Sequence, residues 1–417
     1  MEVNPHYKQT EVGIIPEDWK VQPANQIGTP VRGGSPRPAG DSRFFNGSYV
    51  PWLTVAALTT IPASQLVVSE TGTCLTEEGA LHSRTLSVGT LIIANSGATL
   101  GVAKILGIKC CANDGIAALL NLHRSVSPHY LAHFINTKTH YLRDIVATGN
   151  GQPNLNTTLI GNFKIPLPPT KAEQEAIAAA LSDADALIES LERLLTKKRQ
   201  LKQGAMQELL TGKKRLPGFT VDWQTKRLAQ LADIRSGGTP STTQSRFWDG
   251  EIPWCTPTDI TALNGFKYLS DTSRKITHEG LKSSSAEIIP ADSVVMTSRA
   301  TIGQCAINQV PVSTNQGFKN FTPFANVEVE FLYYLLTTQT QGFIGLCGGS
   351  TFLEIGKAQL RGFEVYVPTT KAEQTAVAAI LHDIDAEITV LEAELAKAGQ
   401  VKQGMMQELL TGRIRLV

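Results

Sequence analysis

Residues 171–216 read KAEQEAIAAALSDADALIESLERLLTKKRQLKQGAMQELLTGKKRL, and residues 371–416 read KAEQTAVAAILHDIDAEITVLEAELAKAGQVKQGMMQELLTGRIRL. At a gapless offset of 200, 29 of the 46 positions are identical, which marks an internal duplication. Ile177, Leu181, Ala184, Ile188, Leu191 and Leu195 alternate spacings of four and three. Val377, Leu381, Ile384, Ile388, Leu391 and Leu395 repeat that frame. Such spacing is one apolar stripe along a helix. No proline interrupts residues 171–212 or 371–412. Thr170 and Thr370 stand at the N-cap with Glu173 and Glu373 three residues on, the pattern of a capping box. Gly212 and Gly412 are natural stops. Each helix would span roughly 60 Å, too long for a small domain to cover its stripe. The two copies are therefore expected to pair antiparallel, with the remaining blocks at opposite ends of a rod. Gly204 and Gly404 inside the helices each cost about 1 kcal/mol relative to alanine; their shared context suggests a close crossing or a bend.

Outside the helices the repetition continues more loosely. Arg32-Gly33-Gly34-Ser35-Pro36 matches Ser236-Gly237-Gly238-Thr239-Pro240, and Arg43-Phe44-Phe45-Asn46-Gly47 matches Arg246-Phe247-Trp248-Asp249-Gly250. Ser96-Gly97-Ala98-Thr99-Leu100-Gly101 pairs with Ser298-Arg299-Ala300-Thr301-Ile302-Gly303, and Asn113-Asp114-Gly115 with Asn315-Gln316-Gly317. The offset drifts between 204 and 200, so loops changed length while the scaffold stayed. Val88–Ala94 and Ile289–Met296 read as turns entering buried strands, and Pro128–Thr137 and Val329–Thr338 as short amphipathic helices. The fold class is α+β. Two similar mixed α/β domains, residues 1–168 and 217–368, alternate with helical blocks 169–216 and 369–417 that pack as an antiparallel coiled coil.

Lysine plus arginine number 38 and aspartate plus glutamate 37, a net charge of +1. That balance excludes a histone-like chain but not local basic patches. The six cysteines lack C-x-x-C spacing and no cysteine–histidine cluster has ligand spacing, so no metal site is expected. The most apolar stretch, Leu91–Cys111, contains Asn95, Lys104 and three glycines and is no membrane span. A cytoplasmic protein is expected.

Catalytic signatures are missing. There is no phosphate-binding G-x-x-x-x-G-K-[ST] loop, no H-E-x-x-H and no kinase motif. None of the eight histidines has a counterpart in the other half, and a non-catalytic chain is expected. What remains is polar loop chemistry. Arginine reads guanine bidentately, while asparagine and glutamine read adenine. The candidate DNA-binding residues in the first half are Arg32, Arg37, Arg43, Asn95, Ser96, Asn113, Asn150, Gln152 and Asn154. In the second half they are Arg235, Arg246, Ser298, Arg299, Asn315, Gln316, Lys319, Ser350 and Thr351. Any one of them also suits an ordinary turn; their duplication around matched scaffolds points to recognition. For Arg299 the competing role is an ion pair with an acid such as Asp292.

The chain resembles the DNA-specificity subunits of type I restriction–modification enzymes. The resemblance is carried by Glu11-Val12-Gly13-Ile14-Ile15-Pro16-Glu17-Asp18-Trp19, Ser236-Gly237-Gly238-Thr239-Pro240-Ser241, Ile252-Pro253-Trp254, Thr297–Gly303, Lys371-Ala372-Glu373-Gln374 and Lys202–Gly212. It implies two target-recognition domains, conserved helical spacers and a bipartite, asymmetric target on double-stranded DNA. It also implies two modification subunits carrying S-adenosylmethionine chemistry and two restriction subunits using ATP and Mg2+, with no cofactor in this chain. A subunit of a methylation-only or other phage-defence system, and a coiled-coil adaptor that binds no DNA, remain as alternatives.

Overall fold

A computed structural model describes residues 6–147, 153–347 and 353–416. The chain forms two compact units, residues 1–194 with 391–417, and residues 195–390. Each unit combines one sequence-variable block with the start of one long helix and the end of the other.

In the first unit a five-stranded sheet runs Thr29–Arg32, Ile116–Leu120, Leu91–Ala94, Ala103–Leu106, Val67–Val68. All pairings are antiparallel except the last. Leu91–Ala94 is buried throughout, and strand alternation divides it between two cores. Leu91 and Ile93 join Tyr130, Leu131 and Phe134 of helix Pro128–Asn136, while Ile92 and Ala94 join Leu53, Leu58 and Leu106. A four-stranded sheet, Thr73–Leu75, Phe45–Leu53, Cys110–Ala112 and Arg84–Leu86, completes the block.

The second unit repeats the plan. Its five-stranded sheet runs Ala232–Ser236, Phe318–Pro323, Ser293–Thr297, Cys305–Asn308, Tyr268–Leu269. Val294 and Met296 face the core under helix Val329–Thr338, and Val295 faces the other side.

The long helices are Lys171–Leu209 and Lys371–Leu409. In the first unit Ile177, Ala178 and Leu181 share a core with Leu409 and Leu410; in the second, Val377, Ala378 and Leu381 share one with Leu209 and Leu210. Within each unit the helices therefore run antiparallel. Charges follow the same order. Asp185 pairs with Lys402, and Asp385 with Lys202 at 2.6 Å.

The expected capping boxes are half formed. Thr170 and Thr370 accept from the backbone N–H of Glu173 and Glu373. The two carboxylates do not fold back on the cap. Each is buried, 1% exposed, and an isolated buried charge is costly enough to demand a cation. Glu373 takes both Arg215 donors, at 2.6 and 2.9 Å, and the Trp223 indole N–H at 3.0 Å. Glu173 pairs with Arg415, which also forks onto Asp18 at 3.0 Å. Gly212 and Gly412 turn here with φ of +70°, and a Cβ on Gly412 would stand 2.5 Å from the Pro16 ring. Gly204 and Gly404 have open space where a Cβ would be, so no close crossing explains them.

Below the helices the two units solve one problem differently. Ile105 pairs with Val67, and Ile307 with Tyr268, so Lys104 beside Leu66 corresponds to Ala306 beside Lys267. The buried cation has changed strands. Lys104 is 1% exposed, donates to the Pro62 carbonyl at 2.7 Å and to that of Gln65, and burial lowers its pKa to about 8. Lys267 donates to Glu330 at 2.9 Å and to the Tyr334 hydroxyl at 3.0 Å. His133 stands where the second unit has Tyr334. Burial first, then Lys402 and His129, lower its pKa to about 4.

Two outcomes follow for stability. Arg215→Ala strands the Glu373 carboxylate and should destabilise the protein by about 3 kcal/mol; Glu373→Gln in the same chain should recover part of the loss. Urea unfolding of both variants measures it. His133 binds its proton in the unfolded chain below about pH 6.5 but in the folded one only near pH 4. Its contribution is therefore complete above pH 6.5 and fades as pH falls toward 4. His133→Gln should show a shallower loss of Tm between pH 7 and 5 than the parent; equal slopes would exclude His133 as a source.

Candidate nucleic-acid interface

In both units a glycine-bearing loop leaving the first sheet strand meets the turn before the second. Gly33 lies so close that a Cβ would stand 2.1 Å from the Asn113 carbonyl oxygen, and one on Gly237 would stand 1.9 Å from that of Asn315. Only glycine permits this approach, so the two loops make one polar surface.

In the first unit Asp114 organises that surface. Its carbonyl accepts from Arg32 Nε at 2.6 Å and from Asn95 Nδ2 at 3.2 Å. Its carboxylate accepts from Ser35 at 2.7 Å and faces Arg37 at 3.5 Å. Ser96 bridges Asn154 across the backbone. Arg32, Arg37, Asn95, Ser96 and Asn154 are thus brought together. Arg43 makes its contacts elsewhere, with Asp41 at 2.7 Å and over the Phe44 ring at 5.1 Å; the guanidinium hydrogen bond holds the Asp41 carboxyl below its usual range. Asn113 and Asn315 serve the turns. Asn113 N–H donates to Leu53, and Asn315 Oδ1 accepts from Gly317 N–H at 2.8 Å. Asn150, Gln152, Ser350 and Thr351 lie outside the described residues.

The second unit carries a charged version. Arg299 Nε meets Glu354 at 2.9 Å, not Asp292. Lys319 reaches Ser298 Oγ at 3.3 Å and Glu354 at 3.8 Å. Burial is the first cause lowering the Lys319 pKa, with Glu354 opposing it. Thr239 donates to Gln316. Arg235 is held by Asp233 at 2.7 Å and Glu287 at 3.4 Å. Arg246 faces Glu279 at 3.3 Å above the Phe247 ring.

Hydrogen bonds shift the expected pairing of the two copies by one residue. Asn95 N–H donates to Gly115 and Ser298 N–H to Gly317; Leu155 and Ile355 donate back to Asn95 and Ser298. Asn95 therefore corresponds to Ser298, and Ser96 to Arg299. The first copy has an extra residue in the following turn, where Gly97 takes φ +77° and Ala300 of the shorter turn takes +55°. Strand register likewise sets Ala117 opposite Ile93 where Lys319 is opposite Met296. Arg299, Glu354 and Lys319 are replaced as a set by Ser96, Asn154 and Ala117. Asn95, Ser298 and Lys319, at 1%, 0% and 4% exposure, are interior members of this surface and not projecting readers.

Arg274 escaped the sequence reading. Its guanidinium lies 3.9 Å from the ring centre of Trp248 and 5.2 Å from that of Trp254. Its only sequence signal was a position two strands away from a marked aromatic, which pattern alone does not connect. Among the described residues no group of histidine, cysteine, aspartate or glutamate has a metal-holding arrangement, and no helix is long and apolar enough to cross a membrane.

A family model described as the type I restriction modification DNA specificity domain matches residues 16–202 and 220–398. The chain belongs to the family of type I restriction–modification DNA-specificity subunits, which bind target sequences on DNA and are themselves non-catalytic. It is 39% identical over 166 residues to the MjaIX specificity subunit of Methanocaldococcus jannaschii, a stretch covering 39% of this chain and 38% of that one. The putative MjaX specificity subunit of the same organism is 24% identical over 99% of this chain and 97% of its own length. The crystal structure of the type I S subunit from M. genitalium shares the fold, with a TM-score of 0.61 at 14% identity, covering 98% of each chain. A structure described by its complex assembly and conformational transition in the type I system aligns at TM-score 0.57 and 16% identity, over 96% of this chain and 99% of that one.

Asp114 restrains two arginines, so Asp114→Asn should raise low-salt affinity for unrelated duplexes and steepen its salt dependence by about one to two. Titration against target and scrambled DNA measures both, and unchanged non-specific binding would mean that Asp114 restrains neither arginine.

Proposed function

We propose that the two units read the two halves of a bipartite, asymmetric target on double-stranded DNA. Residues 1–168 and 217–368 are the recognition domains, and residues 169–216 and 369–417 are the spacer. The observation that carries this reading is the repeated loop cradle, whose backbone is kept while Ser96, Asn154 and Ala117 replace Arg299, Glu354 and Lys319. A kept scaffold with exchanged side-chain chemistry suits two readers of different sequences. It departs from the dimer rule in which palindromy mirrors symmetry.

In this reading the chain positions two modification subunits, which supply S-adenosylmethionine-dependent methylation of adenine N6. Two restriction subunits supply translocation and cleavage with ATP and Mg2+. Family membership supports such partners. Exposed Leu187, Leu194 and Val401 on the helices of the first unit suit helical contacts with them. The assembly works on chromosomal and invading DNA in the cytoplasm.

Exchange of residues 1–168 for those of another family member should change one half of the methylated motif and leave the other half and the gap intact. Long-read sequencing of methylated adenines in a host with and without each version measures this. Simultaneous change of both halves would refute independent readers.

A further inference from the structure

The arginines of the candidate loops are held by carboxylates. Arg37 faces Asp114, Arg43 Asp41, Arg235 Asp233, Arg246 Glu279 and Arg299 Glu354. A phosphate approaching any of these must first displace an acid. Arg274 is different. It is exposed, and among the described residues no carboxylate lies within ion-pair distance of it.

Its position is nonetheless fixed. Arg274 opens the strand Arg274–Ile276 and pairs in register with Trp254. The Thr272 hydroxyl donates to its carbonyl at 2.6 Å. The two indoles beneath it meet edge to face, with centres 4.9 Å apart and planes at 82°. Each is locked by its own N–H. Trp248 donates to the Ser241 carbonyl at 3.1 Å and Trp254 to that of Gly238 at 3.0 Å. The indoles thereby brace the glycine loop of the cradle and carry the guanidinium beside it. Stacking restricts the arginine rotamers before any ligand arrives, and the planar fork keeps its N–H donors for solvent. A full positive charge, limited motion and unspent donors are the requirements for gripping a phosphate.

The first unit keeps the aromatic pair as Phe45 and Trp52, 6.1 Å apart, but Thr73 faces Trp52 where Arg274 faces Trp254. The cation belongs to the second unit alone.

We propose that Arg274, seated on Trp248, is a phosphate clamp that grips the DNA backbone beside the half-site read by the second unit. This rests on the assignment of that unit as a DNA reader. The clamp holds DNA of any sequence, and the acid-held arginines engage only where the bases fit.

The test uses the full chain with whatever modification subunits co-purify, and duplexes carrying the methylated motif, its single-base variants or a scrambled sequence, between about 50 and 200 mM salt. Arg274→Ala should bind every duplex about tenfold more weakly, with a salt slope lower by about one and an unchanged order of preference. Arg274→Lys should keep the slope, because the charge stays, and recover part of the affinity. Trp248→Phe, the residue type of the first unit, should fall between the parent and Arg274→Ala. Melting curves of Arg274→Ala and Arg274→Lys should match the parent. Parental affinity and slope in Arg274→Ala would overturn the clamp. So would loss of preference at a single base pair with the slope intact, which would make Arg274 a base reader, or a lowered Tm accounting for the weaker binding. If the parent itself prefers no sequence, the reading of the second unit fails, not the clamp.

Discussion

Two buried carboxylates govern how this chain closes. Glu173 and Glu373 begin the long helices, each 1% exposed, where an unpaired charge would cost several kcal/mol. Neither finds its cation in its own repeat. Arg415 follows the second helix and serves Glu173; Arg215 follows the first and serves Glu373. The end of each helix must therefore reach the start of the other. Leu409 and Leu410 packing near Ile177 and Leu181, and Leu209 and Leu210 near Val377 and Leu381, express the same demand in apolar terms.

On that base the variable blocks are free to diverge, and they do so in linked sets. The buried lysine under the sheet moved from one strand to its neighbour, Lys104 in one unit and Lys267 in the other, while the adjacent position became Leu66 or Ala306. At the cradle a charged trio and a neutral trio occupy matched sites. Changing one member alone would leave a buried cation without its anion, so only joint replacement preserves the fold. The cradle can thus be rewritten without loosening the sheets that hold it.

Ion pairing within the cradle also restrains its arginines. Arg37 against Asp114, and Arg299 against Glu354, are partly exposed pairs worth little to stability. In the proposed reading their value lies in keeping guanidinium groups from gripping any phosphate nearby. Base contacts then have to supply the difference, which favours selectivity over raw affinity.

Much of this was legible in residues 171–216 and 371–416. Duplication, helix length, stripe frame and stops follow from local chemistry, because helix periodicity and capping depend on neighbours a few residues apart. The strand Leu91–Ala94 and the helices Pro128–Asn136 and Val329–Thr338 were legible for the same reason. Partner choice was not. The sequence suggested that Glu173 caps its own helix and that Ser96 matches Ser298, and it offered Asp292 only as an alternative partner for Arg299. Tertiary packing instead gave Glu173 to Arg415, Ser96 the place of Arg299, and Arg299 to Glu354. It alone set Arg274 on Trp248. Those pairings join residues tens to hundreds of positions apart, and their energy depends on burial and distance, which exist only once the sheets have formed.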